Sequence, residues 1–227
     1  MTDSPVEAVL FDLDDTLVRY RRSTATVLSE AFEACGVDPL FPVDAYYDRF
    51  DEFADWDTPM AELRRNCFAA ICEARGHDPD VGRRVADAFA ASRDHRNVEL
   101  LPEAERVLRT LADRYRVGVV TNGPKDAQSQ KVDASGVGDI VETVVYAAHE
   151  TEPKPDPEPF RVALDRLDTA PERAVHVGNS VESDVRGAAA AGLRSVWIPA
   201  SPPDADAATA SADYRLDGLA GLLPPPW

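Results

Sequence analysis

Asp12-Leu13-Asp14-Asp15-Thr16 follows directly on the apolar run Val6-Glu7-Ala8-Val9-Leu10-Phe11. Two carboxylates two positions apart, on the run-out from a buried strand, are costly near a core unless a cation partners them. Oxygen donors with no His or Cys beside them suit Mg²⁺. Three more patches carry chemistry. Thr121-Asn122-Gly123-Pro124 follows Val117–Val120 and offers a hydroxyl, an amide and a glycine N–H at a helix start, an anion-binding corner. Lys154 lies in Glu152-Pro153-Lys154-Pro155-Asp156-Pro157-Glu158-Pro159, a loop stiffened by four prolines. The chain uses 21 Arg and only three Lys (Lys125, Lys131, Lys154), so a lysine kept here marks a place for a compact point charge that a forked guanidinium would not fit. Gly178-Asn179-Ser180-Val181-Glu182-Ser183-Asp184 follows Ala174–Val177.

The elements behind these patches read as strands and helices in alternation. The runs Val6–Phe11, Val117–Val120, Thr143–Tyr146, Ala174–Val177 and Ser195–Ile198 are short, apolar and β-rich, as strands buried on both faces are. Between them, Pro102–Tyr115 and Pro159–Leu167 carry apolar stripes at helical spacing, and Asp184–Ala191 ends at Gly192, a helix-terminating glycine. Strands alternating with helices imply βαβ units and a parallel sheet, whose ligands bind beyond the carboxyl ends of the strands. All four patches lie at such an end or in the loop next to it. From about Leu17 to His95 no strand signal is present; helices are expected around 23–35, 43–55, 60–75 and 80–92, separated by Gly36, Thr58-Pro59 and Gly76–Pro79. Residues 201–212 read as a loop.

Composition narrows the functional classes. In 227 residues, 44% are hydrophobic, enough for a sizeable core, and no stretch approaches the ~18 apolar residues of a membrane span. The beginning of the chain lacks a basic segment followed by an apolar one, so no secretory signal is expected and the location is expected to be cytoplasmic. Asp and Glu number 41 against 24 Lys and Arg, a formal net charge of −17, which disfavours nucleic acid and anionic membranes as partners. The acids are scattered rather than collected in a tail, and molar salt screens such a surface within ~3 Å. A protein adapted to a very salty cytosol is the expectation; a GC-rich genome is the plainer source of the same Arg, Asp and Ala bias. Cys35, Cys67 and Cys72 have no framework spacing and read as buried free thiols.

Taken together and in this order, the four patches resemble the haloacid dehalogenase superfamily over residues 5–22 and 97–199. Asp12–Thr16 looks like its first motif, Thr121 its second, Lys154 its third and Gly178–Asp184 its fourth. The resemblance implies a three-layer parallel-sheet, Rossmann-like α/β core made of residues 1–17 and 96–227, with an inserted all-helical cap of the C1 type at 18–95. It implies Mg²⁺-dependent hydrolysis of a small phosphate monoester (a sugar, nucleotide or organic-acid phosphate) through an aspartyl-phosphate. Asp12 would be the nucleophile and Asp14 the general acid and base. Thr121 with the Asn122 and Gly123 amides would grip the phosphoryl, and Lys154 would neutralise charge on it and on Asp12. Asp12, Asp14 (by its carbonyl), Asn179 and Asp184 would hold Mg²⁺. Thr16 would steady the turn.

One position departs from the family pattern. The fourth motif usually begins Gly-Asp and here reads Gly178-Asn179, which keeps an oxygen donor but loses one negative charge and so weakens Mg²⁺ binding. Keeping both Asp14 and Asp184 favours phosphate esters over carbon–halogen bonds, because the dehalogenase branch lacks an acid at the Asp14 position and needs no metal. A dehalogenase, a phosphomutase and a non-catalytic binding protein on the same scaffold remain the rivals. The molecule is expected to be a monomer or homodimer.

Other residues carry plainer expectations. Asp15 and Glu182 read as solvated or capping acids, His176 as core packing, and Trp197 as packed in the sheet. His149, and Arg64, Arg65, Arg93 and His95 of the insertion, are candidate substrate contacts that read more simply as surface groups. Tyr46, Tyr47, Phe50, Phe53 and Trp56 read as helical core. Thr121-Asn122-Gly123 with Gln128 and Lys131 downstream resembles the branch of that family containing nucleotidases and sugar-phosphate phosphatases.

Overall fold

A computed structural model describes residues 5–53, 58–200 and 212–227. In chain order its elements are β1 (Ala8–Phe11), β2 (Val18–Tyr20), α1 (Thr24–Ala34), α2 (Val43–Phe50), α3 (Met60–Ala74), α4 (Pro79–Ser92), β3 (Val98–Leu100), α5 (Ala104–Ala112), β4 (Arg116–Asn122), α6 (Lys125–Ser135), β5 (Thr143–Ala147), α7 (Glu158–Arg166), β6 (Ala174–Gly178), α8 (Gly187–Ala191), β7 (Arg194–Trp197) and β8 (Tyr214–Arg215). The chain divides into two compact units, Met1–Arg19 with Val98–Trp227, and Tyr20–Asn97.

The first unit is a six-stranded parallel sheet in the order β5-β4-β1-β6-β7-β8, flanked by helices, a Rossmann-like α/β fold. All four β1 residues are fully buried, because β1 has neighbours on both edges and helices on both faces. Side chains alternate across a strand, so Leu10 joins Phe160, Leu164 and Ala188 from α7 and α8, while Phe11 faces the other way. Register then does the functional work. Phe11 lies opposite Val119 of β4 and Val177 of β6, so β1 and β6 end within one residue of each other while β4 runs on to Asn122, which brings Asp12, Gly178 and Thr121 to the same edge of the sheet. The Asp12 N–H donates to the Val177 carbonyl at 2.9 Å, carrying the ladder one residue past β1.

Tyr20–Asn97 holds α1 to α4 around an aromatic core. Phe32, Phe41, Tyr46, Phe68 and Phe89 are buried and meet edge-on, with Phe41–Phe68 and Tyr46–Phe68 centroids both 5.1 Å apart. Ser23 caps α1 by accepting from the Thr26 N–H at 3.0 Å, and Asp78 caps α4 with Pro79 in its first turn. Cys67 and Cys72 are buried; Cys35 is only half-buried, contrary to the expectation for all three thiols.

Several elements differ from the sequence reading. The stretch read as strandless contains β2, which pairs with β3 in a separate two-stranded sheet, and β8 adds an edge strand beside β7. These strands are two or three residues long and mix charge with apolar groups, so they show no run. The helix expected at 184–191 begins earlier, as a wide turn over Val181–Arg186 capped by the Ser180 hydroxyl, before α8 continues it. The 201–212 loop lies outside the described residues except for Ala212, as does Trp56.

Candidate active site

Asp12, Lys154 and Asp184 meet in one buried cluster. Lys154 Nζ donates to Asp12 Oδ1 at 2.7 Å, to Asp184 Oδ1 at 2.7 Å and to the Val120 carbonyl at 2.8 Å, which uses all three ammonium protons. Its side chain is 1% exposed, and those of Asp12 and Asp184 are 11% and 2% exposed. A forked guanidinium could not present three donors at one point, so the geometry accounts for lysine at this position.

The loops are built to bring the groups there. Asn122, the last residue of β4, brackets the Lys154 backbone: its Oδ1 accepts from the Lys154 N–H at 2.8 Å and its Nδ2 donates to the Lys154 carbonyl at 2.9 Å. The side chain of Asn122 therefore positions the lysine loop and is not itself aimed at an anion. Asp184 reaches back over Gly178, and a Cβ on that residue would lie 2.3 Å from Asp184 Cγ, so only glycine fits. Asp184 Oδ2 accepts from the Ser180 N–H at 2.9 Å, and His176 Nε2 lies 3.0 Å from Asp184 Oδ1.

The electrostatics follow from two buried carboxylates sharing one ammonium. Burial pushes the Asp12 carboxyl up to about 7 against the pull of Lys154, with Asp184 adding to the rise. Burial acts the same way on Asp184, but Lys154 and His176 outweigh it and hold that carboxyl below the ordinary range. Burial alone would lower Lys154, and its two carboxylate partners instead raise it. His176 is pushed down by burial, against the pull of Asp184.

Asp14 sits apart from that cluster, with 36% of its side chain exposed. Its Oδ2 accepts from Lys131 Nζ at 2.6 Å and Gln128 Nε2 at 3.0 Å. Thr121 is buried at the end of β4 beside Asn122 and Gly123. Asn179 Oδ1 accepts from the Thr16 hydroxyl at 3.3 Å, and its carbonyl accepts from Trp197 Nε1 at 2.9 Å. Asp15 has a positive φ of 56° and closes the turn by donating its N–H to Val18 at 2.8 Å.

Several plainer readings need amending. His176 does pack on Phe160, with centroids 4.9 Å apart, but it also contacts Asp184; a lone His in an otherwise apolar strand was the available signal. Trp197 is buried in the sheet and also holds the fourth-motif backbone. Gln128 and Lys131, three residues apart on one helix, are both buried against Asp14. Arg64 is not a surface charge: it is 4% exposed with its guanidinium 4.5 Å from the Phe89 ring centre. Arg93 stacks 3.5 Å from the Tyr20 ring centre and donates to the Arg22 carbonyl, and His95 Nδ1 lies 2.6 Å from the Tyr20 hydroxyl. Arg65 pairs with Asp87, Glu182 pairs with Arg186, and His149 is exposed, as surface groups do.

Among the described residues no helix is long and apolar enough to cross a membrane. A phosphoserine phosphatase of Thermus thermophilus is 30% identical over 94% of this chain and 96% of its own length. Pyrophosphatase PpaX of Bacillus velezensis is 29% identical over 98% of this chain and 97% of its own. Among solved structures, the putative HAD-hydrolase YfnB of Bacillus subtilis bound to magnesium superposes with a TM-score of 0.74 at 21% identity, covering 97% of this chain and 98% of that one. The family model for haloacid dehalogenase-like hydrolases matches residues 6–192, which takes in all four patches, and the chain belongs to that family of hydrolases.

Proposed function

We propose that the protein is a Mg²⁺-dependent phosphatase acting on a small phosphate monoester. The observation that carries this reading is the buried Asp12–Lys154–Asp184 cluster at the carboxyl ends of three neighbouring parallel strands, with Asp14 two residues beyond Asp12. The names of the two curated relatives support it.

The donor set fits a magnesium ion. It is all oxygen, the donor type that a hard divalent cation takes. Asp12 and Asp184 share a single ammonium, so the cluster carries negative charge that a cation relieves. Asp12, the Asp14 carbonyl and Asn179 would hold the ion. Asp184, whose oxygens already accept from Lys154, Ser180 and His176, would contribute charge from behind. Bound there, the ion would neutralise the phosphoryl oxygens as Asp12 approaches.

The residues then divide the work. Asp12 attacks phosphorus, the bond from phosphorus to the leaving oxygen breaks, and the proton on Asp14 passes to that oxygen. Asp14, now ionised, takes a proton from water as it attacks the phospho-Asp12, which returns both carboxyls to their starting state and releases phosphate. Thr121 and the Asn122 and Gly123 amides hold the phosphoryl oxygens, and Lys154 offsets their charge.

The test is phosphate release from p-nitrophenyl phosphate and a panel of metabolite phosphates, with Mg²⁺ in molar KCl. Turnover should require Mg²⁺ and fall at least about 10³-fold in Asp12→Asn. A folded protein that releases no phosphate from any ester, or an Asp12→Asn variant that retains turnover, overturns the assignment.

A further inference from the structure

We infer that Gln128 and Lys131 are positioning residues that aim the Asp14 carboxylate at the leaving oxygen. The inference rests on the phosphatase reading above and adds two residues to it.

Asp14 stands in a one-turn loop and is a third exposed, so nothing in its own segment orients the carboxylate. Proton transfer to a departing alkoxide needs an oxygen held within hydrogen-bond reach of it. The orientation comes from α6. Gln128 and Lys131 are three residues apart, hence on one helix face, and each is 4% exposed, so both donors arrive on stems locked by packing. Both bonds fall on Oδ2, so the two donors fix that oxygen and Oδ1 takes no bond from α6.

The same helix is tied to the phosphate corner. Gln128 Nε2 also donates to the Asn122 carbonyl. Gly123 adopts φ +115°, and a Cβ there would lie 2.8 Å from Gln128 Nε2, so a side chain at that point would push the amide off Asp14. Asn122 in turn brackets Lys154. One chain of contacts thus runs Asp14–Gln128–Asn122–Lys154–Asp12, fixing the acid relative to the nucleophile. Lys131 is also one of only three lysines in a chain that otherwise uses arginine.

A positioning role and a merely structural one differ in their dependence on the leaving group. p-Nitrophenolate departs with little protonation, whereas an alkoxide such as that of glycerol phosphate requires it. kcat/KM reports the first irreversible step, in which the leaving group departs. In Lys131→Met, kcat/KM for glycerol phosphate should fall about 10²-fold, while that for p-nitrophenyl phosphate falls less than about threefold; Asp14→Asn should show the same selectivity, more strongly. Lys131→Gln, which keeps a donor of similar length, should recover part of the alkyl-ester rate and carries the test if Lys131→Met does not fold. Parallel losses on both esters in whichever variant folds overturn the inference while leaving the phosphatase reading intact. A wild-type protein inert towards both esters removes the reading and the inference together.

Discussion

Replacing Lys154 by Met should cost stability as well as activity. The methionine fills the space of the lysine stem, so what is lost is the ammonium and its three bonds of 2.7–2.8 Å. The variant strands Asp12 and Asp184 as two buried carboxylates with no cation between them. Removing one partner of a buried ion pair typically costs ~3–5 kcal/mol, far more than the ~0–1 kcal/mol of an exposed pair. With a urea slope of ~2 kcal/mol/M, that moves the unfolding midpoint down by roughly 1.5–2.5 M. The assay is a urea titration followed by far-UV circular dichroism, with exposed Lys125→Met as the control, expected within ~0.5 kcal/mol of the parent. The loss at Lys154 should persist in molar KCl, because a buried pair is screened far less than a surface one. Adding Asp184→Asn to Lys154→Met should restore part of the loss, since one stranded charge is gone. A Lys154→Met midpoint within ~0.3 M of the parent would refute the claim that this lysine offsets the two carboxylates.

Two further outcomes follow from the same geometry. Asn179→Asp adds a full charge to the oxygen donors and should tighten Mg²⁺ binding on the order of tenfold by titration calorimetry; unchanged or weaker binding would remove Asn179 from the donor set. Gly178→Ala places a Cβ 2.3 Å from Asp184 Cγ, and the short buried carboxylate has nowhere to retreat except off Lys154. It should lower stability by ~1–3 kcal/mol and depress turnover, and an unchanged melting temperature with full activity would show that the contact can relax.

The strands that build the site were legible because each is an apolar run that must be buried on both faces: Val117–Val120 and Ala174–Val177 lie within β4 and β6. The short strands β2, β3 and β8 were not, since a two- or three-residue strand depends on its neighbour and carries no period of its own. Of the candidate residues, Asp12, Lys154 and Asp184 announced themselves as charges following apolar strands or as a lysine where arginine is the rule. Their mutual distances did not: 142 residues separate Asp12 from Lys154.

Residue type and order along the chain thus determined the fold class, the strand ends as the place for chemistry, and oxygen donors with a lysine as its instruments. Tertiary structure alone decided how those instruments are wired. It put Asp184 on Lys154 and His176, made Asn122 a brace for the lysine loop, gave Asp14 to Gln128 and Lys131, and buried Arg64 beside an aromatic ring. The physical reason is that burial and partner choice are properties of strand register and helix packing, which bring together residues the sequence holds far apart, and a side chain's charge is costly or useful only once that environment exists.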